Sequence, residues 1–242
     1  MSELPLIAAA ALWGAAAGTL LPRAAYRFSV PSGEEWRAEC PGGHPLRGWV
    51  GRGRCRECAG SSYGPAAALL TIVTALVCAA LAAATGTRPE LGVWLLLAPP
   101  GVLLAVVDFR VQRLPDPLTL PLAGAALALL GLVALLPEHA GDWLTALYGA
   151  LALGGGYFVL FLINPGGMGF GDVKLALGAG AALGWYGWPT VVLGTFAGFL
   201  FGALYGGALV VARRAGRKTA IPFGPFLVAG AFAGVLIGAY TA

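Results

Sequence analysis

The longest uncharged stretch of the chain covers residues 175–212, LALGAGAALGWYGWPTVVLGTFAGFLFGALYGGALVVA. An α-helix rises 1.5 Å per residue, so one helix of this length would be roughly 57 Å long, about twice the thickness of the hydrocarbon core of a bilayer. Gly184, Gly187 and Pro189 provide a turn near the middle of the stretch. The stretch therefore predicts two consecutive membrane-spanning helices, of which the first is short.

The apolar character extends over the whole chain. Of its 242 residues, 58% are hydrophobic and 11% are charged, and the mean hydropathy is +0.80. A soluble domain has about a quarter of its residues charged. The composition therefore indicates a membrane protein surrounded by lipid. It argues against a soluble enzyme, a disordered chain and a nucleic-acid-binding domain, in spite of the formal charge of +4.

Eight apolar segments are candidates for crossing the bilayer. They cover residues 4–21, 65–84, 91–107, 118–136, 143–163, 175–186, 190–212 and 226–240. The sequence predicts an all-α polytopic membrane protein with about eight transmembrane helices and a cytoplasmic loop after the first. The expected organisation is a first transmembrane helix in residues 1–21, a cysteine-containing cytoplasmic loop in residues 22–64, and a seven-helix membrane domain in residues 65–242.

Basic residues are distributed unevenly between the loops. Eight spans with the N-terminus outside leave 14 Lys and Arg residues in the inside loops and only Arg88 outside. The inside loops are residues 22–64, 108–117, 164–174 and 213–225. Because cytoplasmic loops are enriched in Lys and Arg, this distribution predicts that both termini lie outside. The first span has no basic segment before it, so it is predicted to be a retained helix and not a cleaved secretory signal.

Two aspartates lie at the predicted cytoplasmic ends of spans. Asp108 ends the third span, and Asp172 follows the glycine-rich segment GGMGFG of residues 166–171. Taken alone, an aspartate at a helix start is typical of a cap that accepts hydrogen bonds from free backbone N–H groups. As a pair, the two residues indicate function, because ionisable groups at membrane depth are costly.

Two carboxylates that are brought together share a proton, because they cannot easily both ionise. One of them can activate a water molecule while the other polarises a scissile carbonyl group, which is the chemistry of an aspartic protease. Glycines such as Gly169 and Gly171 would let a peptide backbone approach closely. Lys174 is expected either to extend to the membrane interface or to tune an aspartate. Asp116, in a proline-flanked loop, is predicted to be a turn or cap residue and not the first catalytic acid.

These motifs, in this order, resemble those of the type IV prepilin peptidases, the leader peptidases of type IV pili and type II secretion. Residues 169–175, GFGDVKL, match the Gly-x-Gly-Asp segment of that family. Asp108 precedes LPDPLT in residues 114–119, as the first catalytic aspartate does in the family, and IPFGPF in residues 221–226 matches a third segment. The resemblance implies a catalytic pair of Asp108 and Asp172, with Gly169, Gly171 and Lys174 in the surrounding loop.

The resemblance also implies the partners and location of the protein. The expected substrate is a type IV prepilin or pseudopilin, cut after a glycine at the cytoplasmic face of a bacterial inner membrane; the other expected partner is membrane lipid. Members of the family then methylate the new N-terminus with S-adenosylmethionine. Here YGPAA in residues 63–67 lacks the glutamate common at this point, and no glycine-rich strand-to-helix fingerprint is present. Methyl transfer therefore rests on the resemblance alone.

A possible metal site lies in the cytoplasmic loop, where CPGGH starts at Cys40 and CREC ends at Cys58. Tetrahedral zinc takes four Cys or His ligands, and Cys40, His44, Cys55 and Cys58 form such a Cys₃His set. Many members of the resembled family carry two C-x-x-C pairs in this loop, whereas Gly43 stands in place of one cysteine here. Either His44 substitutes one position further on, or the site is degenerate. The alternative is a set of free cytoplasmic thiols.

Two other functions fit parts of the pattern. A small ion- or proton-coupled transporter would explain buried acidic residues, but it would not explain a glycine-rich loop at the membrane face. A preflagellin-type or other membrane aspartyl protease would share the two aspartates and differ in substrate. The three ordered motifs favour the prepilin peptidase.

Overall fold

The computed structural model describes residues 3–213 and 221–242, and over these residues all regular secondary structure is helical. The helices are α1 (Leu4–Phe28), α2 (Ala67–Thr85), α3 (Glu90–Val111), α4 (Asp116–Val133), α5 (Trp143–Ile163), α6 (Phe170–Trp185), α7 (Trp188–Val211) and α8 (Gly224–Thr241). In the described part of the chain, seven of them are long and apolar enough to cross a membrane. The predicted all-α multi-pass membrane fold is confirmed.

Helix α6 is the exception in length, with 16 residues. It packs against α4, α5, α7 and α8, and side chains such as Ala176, Leu183 and Trp185 are almost completely buried. Because neighbouring helices surround most of α6 in place of lipid, it does not need the full length of a lipid-exposed span. It begins five residues before the predicted span 175–186, so Asp172 lies inside its first turn.

Consecutive helices pack most extensively in the pairs α1/α2, α5/α6 and α7/α8. Glycines form the closest contacts of these pairs: Gly14 and Gly18 in the first, Gly149, Gly180 and Gly184 in the second, and Gly194, Gly198 and Gly230 in the third. Small residues allow helix backbones to approach closely in lipid, where little hydrophobic driving force between helices exists. The glycine content of the sequence is thus used mainly for helix packing.

The turn predicted within residues 175–212 lies at Gly187, which has a φ of +94° that favours glycine. Helix α7 begins at the next residue, with Pro189 in its first turn. The prediction that Gly184 belongs to the turn is wrong. Gly184 lies inside α6, where a Cβ atom would overlap the backbone oxygen of Thr145 on α5.

Helix α1 continues beyond its predicted end at residue 21 to Phe28, because the following loop packs on its last two turns. Arg23 donates from Nη1 to the backbone oxygen of Arg47 at 2.6 Å, and Arg27 donates from Nη1 to that of Gly48 at 2.7 Å. The aromatic rings of Phe28 and Trp49 stack with centroids 4.8 Å apart. The loop after α1 is therefore bound to the end of this helix and packs on the helix bundle.

The close packing of α5 and α6 predicts that Gly180→Ala destabilises the protein by about 1–3 kcal/mol. The added Cβ atom would overlap the backbone oxygen of Gly149 and lie 2.9 Å from Cα of Ala150. The measurement is the thermal unfolding midpoint in detergent. Gly124→Ala on α4 is the matched control, because no atom lies within 4 Å of its added Cβ and alanine is the better helix former. Equal midpoints for the two variants would contradict this account of the pairing.

Candidate active site

Asp108 lies in the last turn of α3 and is 5% exposed. Its Oδ2 atom accepts a hydrogen bond of 2.9 Å from the backbone N–H of Gly224, the first residue of α8. The first N–H groups of a helix have no partner within the helix, and the helix dipole favours negative charge at this end. The start of α8 therefore both orients and stabilises the carboxylate.

Asp172 is the third residue of α6 and is 6% exposed. Its Oδ2 atom accepts a hydrogen bond of 3.1 Å from the backbone N–H of Gly169, which precedes the helix. The capping function expected of an aspartate at this position is thus present. Only Oδ2 takes part in this cap. The other oxygen, Oδ1, is buried and has no hydrogen-bond partner among residues 3–213 and 221–242.

The structure brings the two aspartates together in one cavity of about 590 Å³ at the end of the bundle where α3 ends and α4, α6 and α8 begin. The two carboxylates are close enough to interact electrostatically. Residues 165–169, which lead into α6, form one wall of the cavity together with the first two residues of that helix. Phe223, just before α8, forms part of another wall. A buried acidic pair that borders an open polar cavity can bind and activate water.

Leu114 joins the two halves of this site. Its side chain lies in the space left by Gly171, where an added Cβ would be 2.8 Å from Cβ of Leu114. The same side chain reaches Gly224, where an added Cβ would be 3.3 Å from Cδ1 of Leu114 and 2.8 Å from Oδ2 of Asp108. Gly171 lines the cavity and also gives room to Leu114.

Lys174 and Asp116 form an ion pair at the rim of the cavity, with 2.7 Å between Nζ and Oδ1. Asp116 is the first residue of α4 and its side chain is 62% exposed, as predicted for a turn or cap residue. Lys174 also lies over the ring of Phe170, with Nζ 4.8 Å from the centroid. Lys174 thus neutralises Asp116 and links α6 to α4.

The loop between α1 and α2 contributes to the same cavity through a segment that we call the strap, residues 31–36. Ser32, Gly33 and Trp36 of the strap line the cavity. Arg113, just after α3, holds the strap: its Nη1 donates to the backbone oxygens of Pro31 at 2.7 Å and Glu34 at 3.2 Å, and its guanidinium lies 4.0 Å from the Trp36 ring centroid. The sequence did not predict the contact of Arg113 with the strap, nor the contact of Gly224 with Asp108.

The four predicted metal ligands meet in the loop. The ligand atoms of Cys40, His44, Cys55 and Cys58 all lie within 4.8 Å of one another. The distance from Nδ1 of His44 to Sγ is 3.1 Å for Cys58 and 3.7 Å for Cys55, and Sγ of Cys40 is 3.7 Å from Sγ of Cys58. Zinc bonds of about 2.0–2.3 Å in a tetrahedron place ligand atoms about 3.3–3.8 Å apart, so the residues fit the ion.

The surroundings of these ligands also suit a metal. Burial alone would raise the pKa of the Cys40 thiol, but hydrogen bonds from the backbones of His44 and Gly42 and from the side chains of His44 and Cys55 lower this pKa to about 6. The thiolate is the metal-binding form. On the other side of the imidazole, Nε2 of His44 is 3.6 Å from a carboxylate oxygen of Glu57. A carboxylate near the ring nitrogen that does not bind the metal orients a metal-binding histidine.

Comparison with known proteins identifies the family. Residues 92–207, which include both Asp108 and Asp172, match the type IV leader peptidase family. The chain is 36% identical over 242 residues to a protein of Burkholderia pseudomallei (strain K96243), with 89% of this chain and 70% of the relative covered, and 32% identical over 237 residues to one of Pseudomonas aeruginosa, with 89% and 75% covered. Both relatives are named prepilin leader peptidase/N-methyltransferase. The chain therefore belongs to the type IV leader peptidase family.

A third relative of the same name, from Aeromonas salmonicida, is 37% identical over 207 residues, which are 80% of this chain. The chain spans 66% of the length of this relative. No solved structure shows a significant match to the chain.

Proposed function

We propose that the protein is an aspartic endopeptidase that removes the leader of type IV prepilin-like proteins, with Asp108 and Asp172 as its catalytic pair. The observation that carries the proposal is the cavity in which two buried carboxylates from α3 and α6 interact. The names of the relatives support the same activity. A backbone N–H group at the start of a helix donates a hydrogen bond to each carboxylate and fixes its orientation. Proton transfer to a peptide requires such a fixed orientation, whereas a transporter does not.

The geometry supports a direct hydrolysis. The ionised carboxylate of the pair takes a proton from water, and the water oxygen forms a bond to the carbonyl carbon of the peptide. The protonated carboxyl group donates a hydrogen bond to the carbonyl oxygen as negative charge develops there. The C–N bond then breaks as the leaving amine takes a proton from the pair. The N–H groups of Gly224 and Gly169 keep the carboxylates fixed throughout.

We further propose that the cavity opens on the cytoplasmic side of a bacterial inner membrane, with the N- and C-termini outside. The four loops that the sequence predicts to be inside carry 14 of the 15 Lys and Arg residues. The substrate would be cut between a short leader, which lies in the cytoplasm, and its hydrophobic helix. Labelling of single cysteines placed in residues 108–117 and 164–174 would test this orientation independently of cleavage.

The activity is tested by co-expression with a pilin-like protein that has a glycine before its hydrophobic helix, followed by N-terminal sequencing. We expect a single product that begins directly after the glycine. Failure to process any such substrate, by protein that is folded and inserted, would contradict the proposed function. A cut on the outer side of the substrate helix would contradict the orientation.

We propose the same three parts that the sequence predicts: a first transmembrane helix, whose described residues extend to Phe28, a metal-binding loop after it that ends at residue 64, and a seven-helix peptidase domain. The strap connects the last two, since it belongs to the loop and lines the cavity. The loop would then hold one wall of the substrate site in place.

We propose that Cys40, His44, Cys55 and Cys58 bind one structural zinc ion. Four protein ligands leave no open position for catalysis, and the loop buries few apolar side chains around Tyr63. We expect about one zinc per chain in purified protein and loss of the metal from the Cys55→Ser/Cys58→Ser variant, measured by elemental analysis. Cys78→Ser, in the buried α1/α2 contact, is the control and should keep the metal. Metal-free wild-type protein, purified under reducing conditions, would contradict the site.

Methyl transfer is named for the relatives, and its cofactor would be S-adenosylmethionine. The described residues of the loop form isolated β-bridges, Glu39 with Pro45 and Arg54 with Ser62, and no strand-to-helix turn. These residues do not form the glycine-rich cradle typical of an adenosine cofactor, so the cofactor has no part in the mechanism above. The mass of the mature N-terminus, measured in the cleavage experiment, reports whether methylation follows.

A further inference from the structure

Tyr157 on α5 is a buried polar residue next to the candidate active site. It is 1% exposed, which is unusual for a tyrosine in a helix with a lipid-facing side. Its ring stacks on that of Phe199, with centroids 5.8 Å apart, and lies 5.9 Å from the ring of Phe223. Phe223 is itself a wall of the cavity. The tyrosine is therefore fixed by aromatic packing directly behind the cavity.

Two polar atoms in this region are buried without a hydrogen-bond partner in the described part of the chain, the hydroxyl of Tyr157 and Oδ1 of Asp172. Leaving either atom unpaired in a water-free interior is unfavourable. The two residues lie on the paired helices α5 and α6. One turn after Tyr157, the ring of Phe161 on α5 lies 5.4 Å from that of Phe170 on α6, in the same helical turn as Asp172, so Tyr157 lies beside the start of α6. The hydroxyl is a donor and Oδ1 an acceptor, so each is a suitable partner for the other.

Three polar groups near Tyr157 and Asp172 already have partners. Oδ2 of Asp108 accepts the N–H of Gly224, and Nζ of Lys174 is paired with Asp116. Oδ2 of Asp172 itself is occupied by the N–H of Gly169. The hydroxyl hydrogen of Tyr157 rotates about the C–O bond, so it can point toward Oδ1 while Oδ2 keeps the N–H of Gly169.

We propose that Tyr157 is a positioning residue whose hydroxyl donates a hydrogen bond to Oδ1 of Asp172. With Gly169 on Oδ2 and Tyr157 on Oδ1, each oxygen of the carboxylate has a fixed donor, so the plane of the carboxyl group is set with respect to Asp108. The role in catalysis rests on the proposed peptidase function. The hydrogen bond itself does not.

The first test measures the bond without substrate, by a double-mutant cycle on the thermal unfolding midpoint in detergent. Tyr157→Phe removes only the hydroxyl and keeps the aromatic packing. We expect it to lower the midpoint in protein that contains Asp172 and to have little effect in the Asp172→Ala background. The same shift in both backgrounds, or no shift in either, would overturn the hydrogen bond.

The second test measures cleavage of a pilin-like substrate, with kcat and KM determined separately. We expect Tyr157→Phe to lower kcat by roughly 10- to 100-fold with KM within about twofold of wild type, because a misoriented carboxylate affects the chemical step and leaves binding intact. Tyr148→Phe is the matched control, since Tyr148 lies on the same helix and is 54% exposed. An unchanged kcat, or a change in KM alone, would overturn the positioning role. If wild-type protein does not cleave at all, the peptidase proposal fails. The double-mutant cycle on the unfolding midpoint still shows whether the hydrogen bond between Tyr157 and Asp172 exists.

Discussion

Replacement of either Asp108 or Asp172 by asparagine is expected to lower the rate of leader cleavage by about 10³-fold or more. Asparagine has nearly the same size as aspartate and can still accept the backbone hydrogen bond from Gly224 or Gly169. It cannot take a proton from water or share one with its partner. The measurement is the fraction of a co-expressed pilin-like substrate that is processed, at matched levels of inserted enzyme.

Asp116→Asn is the control for this pair of variants. Asp116 lines the same cavity but is exposed and paired with Lys174, so its replacement removes a rim ion pair and leaves the buried pair intact. We expect a much milder effect than for the buried aspartates. Full processing by the Asp172→Asn variant would contradict the assignment of the catalytic pair.

Gly224→Ala is expected to lower cleavage by about 100-fold, although it adds only one methyl group. The added Cβ would be 2.8 Å from Oδ2 and 3.2 Å from Cγ of Asp108, so the carboxyl group must move away from the position that the N–H of Gly224 gives it. Leu114, 3.3 Å away, limits the space for relief. Cleavage rate and thermal unfolding midpoint are both measured, since the loss of activity should exceed any loss of folded protein.

The matched control is Gly101→Ala on α3, about two turns before Asp108. The nearest atom to its added Cβ is Cγ1 of Val228 at 3.9 Å, which is ordinary van der Waals contact. We expect wild-type cleavage from this variant. If Gly224→Ala cleaved as fast as Gly101→Ala, the start of α8 would have no part in holding Asp108.

The two aspartates could be found from the sequence because charged residues are rare in a chain that is 11% charged, so a pair at span ends is conspicuous. The candidate metal ligands could be found because Cys40 to Cys58 are close in sequence and their spacing constrains them. Both predictions depend on residue type and local position. The seven long spans could be predicted for the same reason, since a run of about twenty apolar residues indicates a membrane-spanning helix without knowledge of its tertiary contacts.

The remaining parts of the site depend on contacts distant in sequence. Gly224 is 116 positions from Asp108 in the sequence, and Arg113 is about 80 positions from the strap residues that it contacts. No local sequence pattern therefore predicts either contact. The start of α6 was predicted too late for a related reason. Apolar content begins at residue 175, whereas the helix begins at Phe170, where the hydrogen bond between Gly169 and Asp172 closes its first turn.

The pairing of consecutive helices has a consequence for biogenesis. Helices α5 and α6 can form a hairpin as soon as both have entered the membrane, and so can α7 and α8, because the members of each pair are consecutive in the chain and pack through glycine. Asp108 belongs to α3 and Asp172 to the α5/α6 hairpin, while Gly224 arrives with α8. The residues of the candidate site thus come from three separately inserted units, and the site would be complete only after the last helix has left the translocation machinery.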